Sequence, residues 1–259
     1  SILDVCSLAL EKEASNRARR EIEEAARQEQ LRANLLRSIS HDLRTPLTSI
    51  SGYAELIENG MAKQEDIPTF GHRIHKEAQR MITLVSDILQ LSELDGMSKQ
   101  QENSPTADFV PVDLGVLVKD VATNMTVNAR KAYITLQYKV QPVTVRGSHD
   151  LLTELVTNLC DNAIRYNRPG GHVELSCGTN ADGCPYFCVE DNGIGIPQDS
   201  QSRVFERFYR VDKSRSKATG GTGLGLAIVK HIAVLHGARI DLESTVGTGT
   251  TIRIIFPKM

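Results

Sequence analysis

Between Leu36 and Ser92 the apolar residues recur every three or four positions, a period that only helices satisfy. One stripe runs Leu36, Ile39, Leu43, Leu47, Ile50, Ala54, Ile57, and a second runs Ile74, Ala78, Met81, Val85, Ile88 to Ser92. Between them NGMAKQEDIP, residues 59–68, carries the Gly and Pro of a connection. The spacing predicts a helical hairpin with one apolar stripe per helix. Two helices bury little by themselves, so so regular a pattern calls for a second helical pair. The simplest source is a second copy of the chain, giving a homodimer through residues 36–92 built as a four-helix bundle. Upstream, residues 11–37 are dense in Glu, Arg, Gln and Ala, with Glu13/Arg17 and Glu23/Arg27 in the order that supports an exposed helix.

After residue 95 the texture changes. DGMSKQQENSPTADF, residues 95–109, is polar, contains Gly and Pro and has no period, so it reads as a linker. Beyond it come short β-branched runs at 134–140, 173–176, 187–190 and 250–256, with helical stretches near 114–131, 150–166 and 223–236. Strands and helices interleaved in this way predict an α/β sandwich, one sheet with helices on a face. The expected organisation is an N-terminal helix over 1–30, a hairpin over 31–95, a linker over 96–109 and a second domain over 110–259.

The net charge of −2 in 259 residues makes no case for nucleic acid or an anionic membrane as partner. The five cysteines are irregularly spaced and odd in number, which argues against a disulfide framework and for structural thiols in a reducing compartment. No run of eighteen apolar residues occurs, so a membrane-spanning segment is not expected within the sequence. The opening at Ser1, without Met or a signal-like apolar stretch, reads as a piece of a longer or processed protein.

SISHDLRTPLTS, residues 38–49, sets a histidine beside an acid on the first helix. At about 100° per residue, His41 lies roughly 200° from both Ile39 and Leu43 and so faces away from the apolar stripe. Thr45 shares its face. Pro46 has no N–H, so the Asp42 carbonyl loses its helical partner and the helix is expected to bend beside His41. A helix interior that carries this cost next to an exposed imidazole reads as a site, whereas the other six histidines have no such company.

Three stretches of the second half suit a nucleotide. ELVTNLCDNAIRYN, 154–167, puts Asn158 and Asn162 one turn apart, and neutral oxygen ligands suit Mg²⁺ already held by phosphates. EDNGIGIP, 190–197, ends a strand with an acid and continues in glycines that let the backbone approach a ligand. GGTGLGLAIVKHIAVLHG, 220–237, is a glycine-rich loop opening an amphipathic helix, a seat for phosphate. Neither G-x-x-x-x-G-K-[ST] nor G-x-G-x-x-G is present, so the P-loop and Rossmann readings fail.

In this order the motifs resemble those of the sensor histidine kinases of two-component signalling, over roughly residues 31–257. SISHDLRTPL resembles the phosphoacceptor box, NLCDNAIRY the N box, DNGIGIP the G1 box, FERFYR (205–210) the F box and GGTGLGLAIV the G2 box. VGTGTTIRIIFP, 246–257, resembles the closing strands. The resemblance implies a dimerisation and phosphotransfer hairpin, preceded by a signalling helix and followed by an ATP-binding domain of the Bergerat fold. It implies that His41 accepts the γ-phosphoryl group of ATP, that Asp42 orients or deprotonates the ring, and that Thr45 serves a reverse, phosphatase step. Asn158 and Asn162 would hold Mg²⁺ and phosphate, Asp191 would take the adenine amino group, and Gly193 and Gly195 would shape the pocket. Arg165, where the family more often has lysine, would face the phosphates with Tyr166 and Arg210. A lid over 198–222 would end at Gly221, Thr222, Gly223, Leu224 and Gly225. The implied partner is the receiver domain of a response regulator, and the implied setting is the cytoplasmic portion of a bacterial membrane sensor. The alternative is a Bergerat ATPase working as a conformational clamp, which has no need of an exposed His-Asp-x-x-Thr-Pro turn.

Overall fold

A computed structural model describes residues 42–99, 109–211 and 221–258, together with the isolated positions 19, 29, 30, 37, 39 and 40. The helix expected over 11–37 lies outside these residues except at Arg19, Glu29, Gln30 and Arg37, each of which is helical. The chain divides into two compact units, residues 1–81 and 82–259.

In the first unit, helix α1 covers 42–58 and passes through Pro46, which is buried. It ends where Met61 and Ala62 both donate their amides to the Leu56 carbonyl, with Gly60 in the left-handed region at φ 66°. Helix α2 then runs Ile67–Lys99, its residues from Ile82 onward belonging to the second unit. The hairpin closes on an aromatic contact, Tyr53 against Phe70 with ring centroids 5.1 Å apart. The guanidinium of Arg73 lies 5.4 Å from the Tyr53 ring centre and donates to its hydroxyl.

The α2 helix departs from expectation twice. It continues to Lys99, four residues into the stretch read as linker, and carries Gly96 in its interior. The cost of one helical glycine, about 1 kcal/mol, is smaller than what the burial of Leu94 two residues earlier returns, about 1.5–3 kcal/mol. Secondly, the stripe Ile74, Ala78, Met81 is half-buried as expected, but Val85 is 44% exposed. Beyond Met81 the expected Ile88 stays half-buried, and the fully buried positions are Leu84, Leu91 and Leu94. The continuous 33-residue helix therefore changes its buried face.

The second unit is a five-stranded mixed sheet, order β2-β4-β5-β7-β6, with a separate two-stranded sheet β1-β3. Its strands are β1 Val110–Asp113, β2 Thr135–Val140, β3 Thr144–Gly147, β4 His172–Thr179, β5 Pro185–Asp191, β6 Arg239–Thr245 and β7 Gly249–Ile255. Its helices are α3 Leu114–Lys131, α4 His149–Arg165, the short α5 Gln198–Gln201, and Gly225–Leu235, here α6. The β2-β4 pair is parallel and the rest are antiparallel. Helix α4 packs on α3 and α6, and α3 on β2. Leu117, Leu155, Leu159, Phe187, Ile228 and Ile254 are among the fully buried side chains between helices and sheet. Helix α3 starts at Asp113, whose Oδ1 accepts the amides of Gly115 and Val116 at 2.8 and 3.2 Å. Helix α4 starts at Ser148. Burial pushes the thiols of Cys160, Cys177 and Cys188 up, that of Cys160 to about 12, so these three are unreactive packing residues.

Candidate functional site

Helix α4 is amphipathic in a specific way. Leu155, Leu159, Cys160 and Ala163 are buried, while Asn158, Asp161, Asn162 and Arg165, spaced by three or four, all line a cavity of about 430 Å³. Arg165 is held by Asp161 one turn back, with Nη2 and Nε donating to Oδ2 at 2.6 and 3.2 Å.

At the far wall, β5 ends in Asp191, paired across the sheet with Thr250. Asp191 Oδ1 accepts the Gly193 amide at 2.8 Å, and burial raises its carboxyl to about 6 against that hydrogen bond. The loop that follows runs against backbone on both sides. Gly195 has φ 70°, and a Cβ there would meet the Thr245 carbonyl oxygen at 2.1 Å. No other residue type fits. Arg168 pins the same loop from outside: its guanidinium donates to the Asn192 carbonyl at 3.0 and 3.1 Å and to the Gly247 carbonyl at 2.7 Å. The Gln201 amide does the same on the other side, donating to the carbonyls of Ile196 and Ser244 at 3.0 and 2.9 Å.

The remaining wall is the glycine-rich segment. Phe208, in the left-handed region at φ 61°, donates its amide to the Gly223 carbonyl at 2.9 Å, so the residues before and after the 212–220 stretch are tied together. Thr222 Oγ1 accepts the Leu224 amide at 3.3 Å. Gly225 opens α6, where a Cβ would come within 3.1 Å of Asn158 Oδ1 and 3.7 Å of Asn162 Nδ2. Both asparagine amides thus face the positive end of that helix.

The structure brings Asn158, Asn162, Arg165, Tyr166, Asp191, Gly195, Arg210, Gly221, Thr222, Gly223 and Gly225 to one cavity. Two expected pocket residues stand elsewhere. Gly193 sits behind Asp191 as its hydrogen-bond donor, and Leu224, 0% exposed, is a core residue because its position before α6 turns it into the apolar interior. In the hairpin, Asp42 and Thr45 are helical and half-buried, and His41 lies outside the described residues. Arg168, Asp161 and Asp87 escaped the sequence reading. Asp161 had a legible signal, the acid four residues before Arg165. Arg168 and Asp87 had none, since each acts on residues remote in sequence.

The donor set fits a nucleotide and a divalent ion. Arg165, Arg210, loop amides and the start of α6 supply positive potential to the same cavity that Asp191, a buried acceptor, lines. Neutral asparagine oxygens suit Mg²⁺ whose charge is met by phosphate oxygens.

The sequence matches two family models in this order: the His Kinase A (phospho-acceptor) domain over residues 31–96, and the histidine kinase-, DNA gyrase B- and HSP90-like ATPase domain over 147–259. It is 36% identical over 239 residues to the sensor protein kinase WalK of Staphylococcus saprophyticus subsp. saprophyticus, covering 92% of this chain and 38% of that protein. To the sensor-like histidine kinase SenX3 of Mycolicibacterium smegmatis it is 37% identical over 236 residues, 91% of this chain and 60% of that one. Among solved structures, the mycobacterial sensor histidine kinase MprB aligns with TM-score 0.50 and 31% identity over 57% of this chain and 97% of that chain. The chain thus spans between about two fifths and three fifths of the length of these curated relatives. No described helix is long and apolar enough to cross a membrane. A phosphoacceptor domain ahead of the ATPase domain is what a conformational clamp lacks. With both domains matched in order along one chain, the protein belongs to the sensor histidine kinases of two-component signalling.

Proposed function

We propose that the protein transfers the γ-phosphoryl group of ATP to His41 and passes it on to an aspartate of a response-regulator receiver domain. The observation that carries this reading is the convergence of Asn158, Asn162, Arg165, Arg210 and Asp191 on one cavity. Asp191 accepts the exocyclic amine of adenine. The amine adds to the two backbone amides, of Gly193 and Thr250, that the carboxylate already accepts. Arg165, oriented by Asp161, and Arg210 offset phosphate charge. Asn158 and Asn162 would hold Mg²⁺, which when bound would supply charge neutralisation to the phosphates.

At the acceptor, the unprotonated imidazole nitrogen of His41 forms the P–N bond as the bond to the ADP oxygen breaks, and the ring's other proton is held by Asp42 or lost to solvent. The second transfer reverses this at His41 and leaves an aspartyl phosphate on the partner. Thr45, four residues after His41 in the sequence, positions water for hydrolysis of that aspartyl phosphate. The working unit is a homodimer through residues 36–92, with 1–30 as an input helix, 96–109 as the linker between the two activities and 110–259 as the ATP-binding domain. The chain acts as the cytoplasmic part of a membrane sensor. Replacing Asn158 or Asn162 with Ala tests the reading: labelling of the chain by γ-labelled ATP should fall more than tenfold, roughly 1.4 kcal/mol or more of transition-state stabilisation. Labelling within twofold of wild type in both variants would remove the pair from the site.

A further inference from the structure

The C-terminal half of α2 makes contacts that phosphoryl transfer does not use. Leu84, Leu91 and Leu94 are buried, and three polar side chains beside them reach named partners in the same unit. Asp87 Oδ2 accepts the Thr222 hydroxyl at 2.7 Å. The Gln90 amide donates to the Glu154 carboxylate, on α4 one turn before Asn158. Asp95 Oδ1 accepts from Arg207 Nη2 at 2.5 Å and lies 3.0 Å from Nε2 of His231, whose Nδ1 faces the Ala227 carbonyl at 2.9 Å. Each partner belongs to the segments that build the cavity or to the helix that closes it.

Asp87 goes further than its neighbours, because it lines the cavity itself, together with Asn158, Asn162, Arg165 and Thr222. It is half-buried there, and it lies within the electrostatic reach of Arg165 and of Asp161. Burial raises its carboxyl, and the Thr222 hydroxyl and Arg165 oppose that rise, which are the influences a phosphate oxygen would also feel. A hydroxyl donor and a guanidinium within electrostatic reach make an anion site. In this structure the anion in it is a side chain.

Resting on the reading that this cavity takes phosphate, we propose that Asp87 is an internal anionic ligand of the triphosphate site. With the 82–99 segment docked through Asp87, Gln90 and Asp95, its carboxylate stands where a nucleotide phosphate oxygen would be received. Docking of this helix and binding of the triphosphate then oppose each other, through like charge and through competition for the Thr222 hydroxyl. Nucleotide entry releases the segment of α2 that leads into the linker, and docking of that segment lowers ATP affinity. The coupling is reciprocal, as any linkage between two ligands of one site must be.

Asp87→Asn removes the charge and keeps an oxygen that accepts from Thr222. Asp95→Asn loosens the docked helix at a point outside the cavity. In calorimetric titrations of the full 259-residue chain with ATP and Mg²⁺, Asp87→Asn should bind at least fivefold more tightly than wild type, and Asp95→Asn more tightly by a smaller factor. Adenosine, which has no phosphate, should bind all three forms within twofold of one another. ATP affinity unchanged or weakened in Asp87→Asn would overturn the proposal, weakening being the sign of a carboxylate that helps to hold the metal. Tightening for adenosine equal to that for ATP would also overturn it, by showing that the helix blocks the whole cavity. Failure of the wild-type chain to bind either ligand would instead reject the nucleotide pocket on which the proposal stands.

Discussion

Asp191 Oδ1 takes the amide hydrogen of Gly193 at 2.8 Å, and the carboxyl that does so is held up at about 6 by burial. A carboxylate has two acceptor oxygens with about four lone-pair sites, so it can hold the Gly193 and Thr250 amides and still accept from a ligand amine. In Asp191→Asn one of the two acceptors becomes an NH₂ donor. ATP affinity should fall at least tenfold. The variant should also melt a few degrees higher near pH 7.5, because a buried charge has been removed. For wild type, protonation turns one acceptor oxygen into an O–H donor and removes the charge, so ATP affinity should decline as pH drops through about 6. An affinity flat from pH 7.5 to 5.5 would take Asp191 out of the adenine contact.

Arg168 reaches three carbonyls, those of Asn192, Gly193 and Gly247, and none of its contacts is to the cavity. Its effect on nucleotide is therefore through the position of the Asp191–Gly195 loop. Arg168→Ala should weaken ATP about fivefold, the value of roughly 1 kcal/mol of hydrogen bonding, and Arg168→Lys should recover part of it. Equal ATP affinity in wild type and Arg168→Ala would leave the guanidinium a surface ornament of the hairpin between β6 and β7.

His236 clasps the far side of the ATP-binding unit. Its Nε2 accepts the Ser148 amide at 3.2 Å, its Nδ1 faces the Ile232 carbonyl at 2.7 Å, and its ring stacks on Phe109. Burial lowers its basicity, with the Ile232 carbonyl opposing. The folded protein holds the ring neutral, and below about pH 6.5 the unfolded chain takes the proton first, so this stability is complete above 6.5 and is lost as pH falls toward the lower native value. His236→Phe should melt several degrees below wild type at pH 7.5, with the gap narrowing by pH 5.5. A constant gap would mean that the ring does not titrate on unfolding.

Ile82, Val85 and Leu89 are 59%, 44% and 60% exposed on α2, on the side of the helix away from Leu84 and Leu91, and Leu47 is 56% exposed on α1. A single chain leaves these apolar residues in water. Val85→Asp should place an unpaired charge in the interface of a homodimer and give a monomer by light scattering at micromolar concentration. A wild-type chain that is itself monomeric there, or a variant that stays dimeric, would contradict the bundle.

What the sequence revealed, and what it withheld, divides along physical lines. The hairpin was legible because Ile74, Ala78 and Met81 repeat at the helical period, and the long strands because Phe187–Glu190 and Thr250–Phe256 are apolar and β-branched. Strand β1 escaped because Pro111 argues against a strand, and β3 because four residues carry no period; they pair only with each other. Leu84, Leu91 and Leu94 were hidden behind a second apolar face on the same helix, and a period cannot say which of two faces is buried. At the site, Asn158, Asn162, Asp191 and the glycines were readable through short local motifs. Arg168, Asp87 and Gln201 were not, since their partners lie from 5 to 135 residues away and only the fold brings them together.

The most direct test of the account is the fate of the label in His41→Gln, incubated with γ-labelled ATP and Mg²⁺ beside wild type. Wild type should acquire label that survives alkali and is lost in acid, as a P–N bond requires, while the variant acquires none and still binds ATP with wild-type affinity. Acid-labile label on His41→Gln equal to that of wild type would contradict the assignment and place the acceptor on another residue.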